Sequence, residues 1–191
     1  MKNQKEILPV IEPKDVFRGN AAAPITLMEF GDYESDACAK AHEVVKQVLE
    51  SYEGKVKFVF RHFPLTKIHQ KAHKAAEAAI AAAQEGKFWE MHEELFANRR
   101  NLGVISLKSY AKEIGTTNKR FLDELINGTY GWNVQGDLME GLERGVRDIP
   151  TFFVNNTKVE GEPTFRNLSK AIEASLAECK TSSAHSKRKT A

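Results

Sequence analysis

Apolar and polar positions follow two rhythms along this chain, and the change of rhythm divides it. Behind Pro24, the short apolar run Ile25-Thr26-Leu27-Met28-Glu29-Phe30 predicts a buried strand. Ser35 or Asp36 can then cap a helix, because a short oxygen-bearing side chain accepts from the free N–H groups of the first turn. Val44, Val45, Val48 and Leu49 give that helix an apolar face, and Gly54 ends it. Val56 to Phe60, β-branched and aromatic, predicts a second strand. Strand, helix and strand at this spacing favour two parallel strands with a right-handed crossover.

From His69 to about Gly145 the rhythm is helical throughout. Ala72 to Ala83 predicts an alanine-rich helix stopped near Gly86. Phe88, Trp89, Met91, His92, Leu95 and Phe96 mark the next; Ser106 and Asn118 cap two more, and Trp132 to Leu142 forms a fifth. The strand rhythm returns in Thr151-Phe152-Phe153-Val154, with Asn155-Asn156 as a two-residue turn into Thr157-Lys158-Val159. Arg166 to Glu178 predicts the last helix, and the polar stretch from Thr181 reads as a disordered tail. The pattern is an α/β one: βαβ, a block of helices, then ββα.

Composition narrows the picture. The chain has 191 residues, of which 41% are hydrophobic and 28% charged, with a net charge of +2, so no strong field steers it towards nucleic acid or membrane lipid. Lys187-Arg188-Lys189 is too short a basic run to argue for nucleic acid. Met1 to Glu6 does not lead into an apolar leader, which predicts a cytoplasmic protein, unless a leader has been removed. The two cysteines, Cys38 and Cys179, make no extracellular disulfide framework.

The start of the helix near residue 35 is the first candidate site. Free N–H groups and the helix dipole lower a thiol's pKa there, which redox enzymes exploit with Cys-x-x-Cys. Here the four residues are Ser35-Asp36-Ala37-Cys38. With Leu27 to Tyr33 before them, Arg61-His62-Phe63-Pro64-Leu65, Ala75 to Ala79, Gly86 to His92 and Gly145 to Val154 in matching order, the chain resembles the DsbA-like thiol–disulfide oxidoreductases. The resemblance covers about residues 13 to 175. It implies a thioredoxin fold with a mixed sheet, formed by residues 13–65 and 148–180, with an inserted helical domain over 66–147 and the tail over 181–191. In that family the position of Ser35 holds the attacking cysteine and Cys38 matches the resolving one. Pro150, after Ile149, matches a cis-proline beside bound peptide, and Glu29 matches a buried acid that moves protons.

The departure governs the functional expectation. A serine hydroxyl forms no disulfide, so residues 35–38 cannot run a two-thiol cycle. Asp36 adds a negative charge that opposes a Cys38 thiolate. Three readings stay open. Cys38 acts as a single thiol towards protein thiols, disulfides or glutathione, with Cys179 as one conceivable partner. Alternatively, the chain is a redox-silent module that binds peptide or protein beside Ile149 and Pro150. In the third, Ser35 donates to a glutathione thiolate, as in kappa-class glutathione transferases. Only glutathione, as co-substrate, enters as a cofactor. His69, His73 and Glu77 stand four apart, as metal ligands can, but the interleaved lysines and alanines read as a solvated helix surface, so no metal is assigned. His42, one turn past Cys38, reads as a surface or boundary residue, and the Phe88–His92 cluster as helix packing.

Overall fold

The computed structural model describes residues 10–188, with side chains through Cys179. Residues 1–9, on which the expectation about a leader rests, and residues 189–191 of the expected tail lie outside this range. Five strands form one mixed sheet in the order β1-β3-β2-β4-β5. β2 (Ile25–Gly31) and β3 (Val56–His62) are parallel, joined across α1 (Asp36–Ser51), while β4 (Thr151–Val154) lies antiparallel to β2 and β5 (Thr157–Lys158) antiparallel to β4. The βαβ and ββα units are those that the pattern predicts, and their mixed sheet is the one that the family resemblance implies. Two short elements were missed: a 3₁₀ helix over Pro13–Asp15, and β1 (Arg18–Gly19), a two-residue strand antiparallel to β3. Two residues carry no readable alternation.

Five helices separate β3 from β4: α2 (Ala72–Ala83), α3 (Phe88–Ala97), α4 (Val104–Glu113), α5 (Phe121–Ile126) and α6 (Gly131–Glu143). Ser106 does not cap α4. It lies inside the helix and its hydroxyl donates to Asn101 Oδ1, while Gly103 occupies the cap. Asn118 does act just ahead of α5, its side-chain oxygen accepting from Arg120 N. The tail expectation also needs correction, since α7 (Phe165–Arg188) runs through the first eight residues of the supposed tail. Thr181 to Arg188 contains no proline or glycine, and extending a formed helix is far cheaper than starting one.

The side chains of β2 alternate between two apolar bodies, as a pleated strand requires. Ile25 and Leu27 join Phe58, Phe60, Phe152 and Val154 in the main core, together with Cys38, Val45 and Val48 of α1 and Leu168 and Ile172 of α7. Phe30 faces the other way, into a smaller cluster with Phe63, Val146 and Phe153. Helix α6 closes that second cluster. A Cβ on its Gly141 would stand 2.6 Å from Phe63 Cδ2 and 3.0 Å from Phe30 Cδ1, so only a hydrogen lets the helix come this close. A buried ion pair fixes the same contact: Arg61 Nε donates to Asp137 Oδ1 at 2.6 Å, and His62 meets Asp137 Oδ2 through both its backbone N–H and Nδ1.

Gly141→Ala is therefore expected to destabilise the protein by about 1–3 kcal/mol through overpacking. Urea unfolding should show a lower midpoint at unchanged slope. An unchanged midpoint would mean that α6 is not seated on Phe63.

Candidate functional site

The site begins where β2 ends. Asp32 follows the end of this central strand, with a carboxylate that accepts from Glu34 N at 2.8 Å, Leu65 N at 2.9 Å and His69 Nδ1 at 2.8 Å. Three donors from two loops hold it, which is what a buried carboxylate needs in place of water. Ser35 N then bonds to Asp32 O, turning the chain into α1. As the cap of α1, Ser35 accepts from Cys38 N through its hydroxyl oxygen at 3.2 Å. Cys38 Sγ accepts in turn from Asp32 N at 3.5 Å.

Cys38 is completely buried. Burial, and after it the carboxyl of Glu29, pushes its thiol far up, above the ordinary range. The expectation that Asp36 opposes the thiolate is corrected here. The Asp36 carboxylate bonds to Arg99 Nε at 2.5 Å, which holds its pKa below the usual carboxylate value, and Glu29 supplies the opposing charge. Glu29 lies in the register opposite Phe60 on one side and Phe152 on the other. Between those rings its Oε1 has no hydrogen-bond partner, and desolvation raises its pKa to about 8.

Pro150 follows a cis peptide bond from Ile149, and both residues are half-buried. Antiparallel pairing sets Phe30 opposite Thr151, so the next residues, Gly31 and Pro150, come to the same end of the sheet. The structure thus brings Ser35, Cys38 and Pro150 to one end, with Glu29 just beneath. It does not bring Cys179 there. Asn155 takes the backbone of Thr26 at the other end of β2 and donates through Nδ2 to Ser175 of α7, one turn short of Cys179. The length of β2, at about 3.3 Å per residue, separates that end from the one at which Cys38 lies. No disulfide joins the two cysteines, and a disulfide needs Cα atoms within about 7 Å.

His69, His73 and Glu77 do not converge. His69 is committed to Asp32, while Glu77 is buried and accepts from Lys74 at 2.8 Å with His73 at 3.4 Å. Among the described residues no group of three or more His, Cys, Asp or Glu could hold a metal ion. His42, expected as a surface or boundary residue, is buried, stacked on Phe96 and bonded through Nε2 to Glu93 at 2.8 Å. Burial alone would raise the pKa of Glu93, but Arg18, His42 and Lys46 override it and hold it down to about 2. Asp32 is the site residue that sequence reasoning missed, and its partner His69 was weighed only as a metal ligand. The available signal was a short acid between the end of a strand and a capped helix.

Glu29 makes stability depend on pH with a definite sign. Its folded pKa lies above its unfolded one, so the native state keeps a proton that the unfolded chain releases. Stability is full below about 4.5 and falls as pH rises towards about 8. The loss should reach about 3 kcal/mol by pH 7. Denaturant titrations at pH 5, 7 and 9 should show this decline, and Glu29→Gln should flatten it; an equal slope in the variant would show that another group is responsible.

The family description Thioredoxin matches residues 12–174. Among curated proteins, the Na(+)/H(+) antiporter NhaA 3 of Salinispora tropica is 36% identical over 171 residues, which cover 90% of this chain and 26% of the antiporter. The chain thus spans about a quarter of the length of the curated relatives it matches. Among the described residues no helix is long and apolar enough to cross a membrane. Among solved structures, oxidised BdbD from Bacillus subtilis superposes with a TM-score of 0.78 at 23% identity, covering 87% of this chain and 93% of that one. A periplasmic thioredoxin-like protein from Salmonella enterica serovar Typhimurium gives 0.70 at 19% identity, covering 87% and 92%. At these identities the superpositions speak for the fold. The cytoplasmic placement is nevertheless overturned, because a neighbour of this fold is periplasmic and the opening residues decide nothing.

Proposed function

The chain belongs to the thioredoxin family, and from that premise we propose that it is a DsbA-like member that holds extended peptide or protein segments beside Pro150 without running dithiol exchange. The observation that carries this reading is the state of the motif: residue 35 offers a hydroxyl, and the one sulfur, Cys38, is buried and strongly disfavoured as a thiolate. Thiolate is the attacking form in disulfide exchange. What the motif retains is the scaffold, namely a capped helix start and Pro150 at the same sheet end. An extended partner would pair with the backbone beside Ile149 and Pro150. The setting we favour is outside the cytoplasm, in keeping with the periplasmic neighbour.

In a Cys179→Ser background, Cys38 should alkylate slowly in the folded protein from pH 7 to 9 and rapidly once unfolded, and oxidised glutathione should leave no adduct by intact mass. Fast alkylation with an apparent pKa below the ~8.5 of a free thiol, together with an adduct, would replace this reading by single-thiol chemistry. Pro150→Ala should weaken binding of an extended peptide several-fold in a fluorescence-polarisation assay. Equal affinity in the variant would remove Pro150 from the binding surface.

A further inference from the structure

Helices α1 and α3 leave a groove of about 460 Å³ between them, within the ~300–1,000 Å³ of small-molecule sites. Ala39 and Ala97, one on each side, carry only a methyl and keep it open, and most of the surface inside it is apolar. At its floor lies the imidazole of His42, 5% exposed and stacked on Phe96 with ring centroids 4.9 Å apart. The state of this ring follows from its partner. Glu93, which burial alone would raise, is held down to about 2 by Arg18, His42 and Lys46, so it is a carboxylate with no proton to give. His42 Nε2 is therefore the donor in their 2.8 Å bond. Burial lowers the His42 pKa against the pull of Glu93, so the ring is neutral at pH 7 and Nδ1 is a bare acceptor. Nδ1 has no hydrogen-bond partner among the described residues, yet it is not one of the unpartnered atoms sealed from solvent. A nearly buried acceptor without a donor is costly, and His42 lines the groove through which a donor can come.

We infer that this groove binds a neutral hydroxyaromatic ring whose O–H donates to His42 Nδ1. A flat ring enters between the two methyls, where a bulkier body would meet both helices. Lys40 and Arg99 line the same groove, and cations favour the face of an aromatic ring. Asp36, Glu43 and Glu93 are each paired with a cation of these walls, so the groove makes no demand for a charged ligand. An anionic ring such as benzoate has no proton to offer Nδ1. The site is independent of Pro150, which does not line the groove.

The isotope-labelled full chain is titrated at pH 7 with p-cresol, toluene, benzoate and an end-blocked tripeptide with a central tyrosine, while the imidazole nitrogens are followed by nuclear magnetic resonance. Before any addition, His42 should show a protonated Nε2 and an unprotonated Nδ1. p-Cresol should move the Nδ1 resonance upfield and bind roughly five- to tenfold tighter than toluene, the size of one hydrogen bond, with benzoate weakest. His42→Phe keeps a ring on Phe96 and leaves Glu93 with Arg18 and Lys46; it should reduce p-cresol to the affinity of toluene. Ala97→Leu fills the groove from an exposed position and should abolish the binding of both, even if the His42 variant does not fold; circular dichroism checks each. A tripeptide that binds tighter than p-cresol with the same Nδ1 shift assigns the ring to a tyrosine of a protein segment, and the reverse order assigns it to a free small molecule. p-Cresol binding no tighter than toluene, an Nδ1 resonance that does not move, or no binding at all overturns the site.

Discussion

Asp32 is the joint on which the rest of the site depends. A carboxylate removed from water must be supplied with donors by the protein, and here they come from two loops that are distant in sequence. Glu34 N belongs to the turn that launches α1, while Leu65 N and His69 Nδ1 belong to the segment that launches the helical block. Satisfying one buried acid therefore fixes where both helical parts of the molecule leave the sheet. The same residue's backbone N–H holds Cys38 Sγ, and its backbone oxygen takes Ser35 N. The position of the motif follows from these bonds.

Three buried acids show how donor supply governs charge in this fold. Asp137 is met by Arg61 and twice by His62, and Asp32 by three N–H groups. Each is thereby turned into a clasp between the sheet and the helical block. Glu29 sits one pleat away between aromatic neighbours, with an unpartnered Oε1, and its pKa rises to about 8. Burial without donors makes it a proton holder; burial with donors makes the other two structural ties.

The sequence pattern made the strands β2, β3 and β4 legible because their buried residues are apolar and alternate. Helix α1 was legible too, through Ser35 and its apolar face. Helix α6 was found, but its pattern misleads about which way it faces. The residues it buries are Val134, Asp137 and Gly141, whereas Trp132 is 86% exposed and Met139 48%. A glycine that permits close approach and an aspartate that pairs with a buried arginine are core residues only once their partners are known. Asp32 escaped for the same reason: its donors Leu65 and His69 lie beyond an intervening helix and strand, and no local period encodes that meeting. The roles expected for Ser35, Cys38 and Pro150 came only from the family resemblance, while the common placement of these residues at one sheet end follows from the β2–β4 register.

On the proposed reading, Ser35 accounts for a motif that gives up dithiol chemistry and keeps its shape. The position that the resemblance matches to the family's attacking sulfur is the N-cap of α1, and serine is among the residues that serve a cap best, worth about 0.5–2 kcal/mol over alanine. A hydroxyl there secures Cys38 N and keeps the first turn wound. Cys38 is buried in the main core, where on the proposed reading it packs as a small apolar residue. Nothing in the packing around either side chain requires a redox cycle. What remains at this end of the sheet is the capped start of α1 with the Ile149–Pro150 bond beside it, the scaffold on which the proposed binding reading rests.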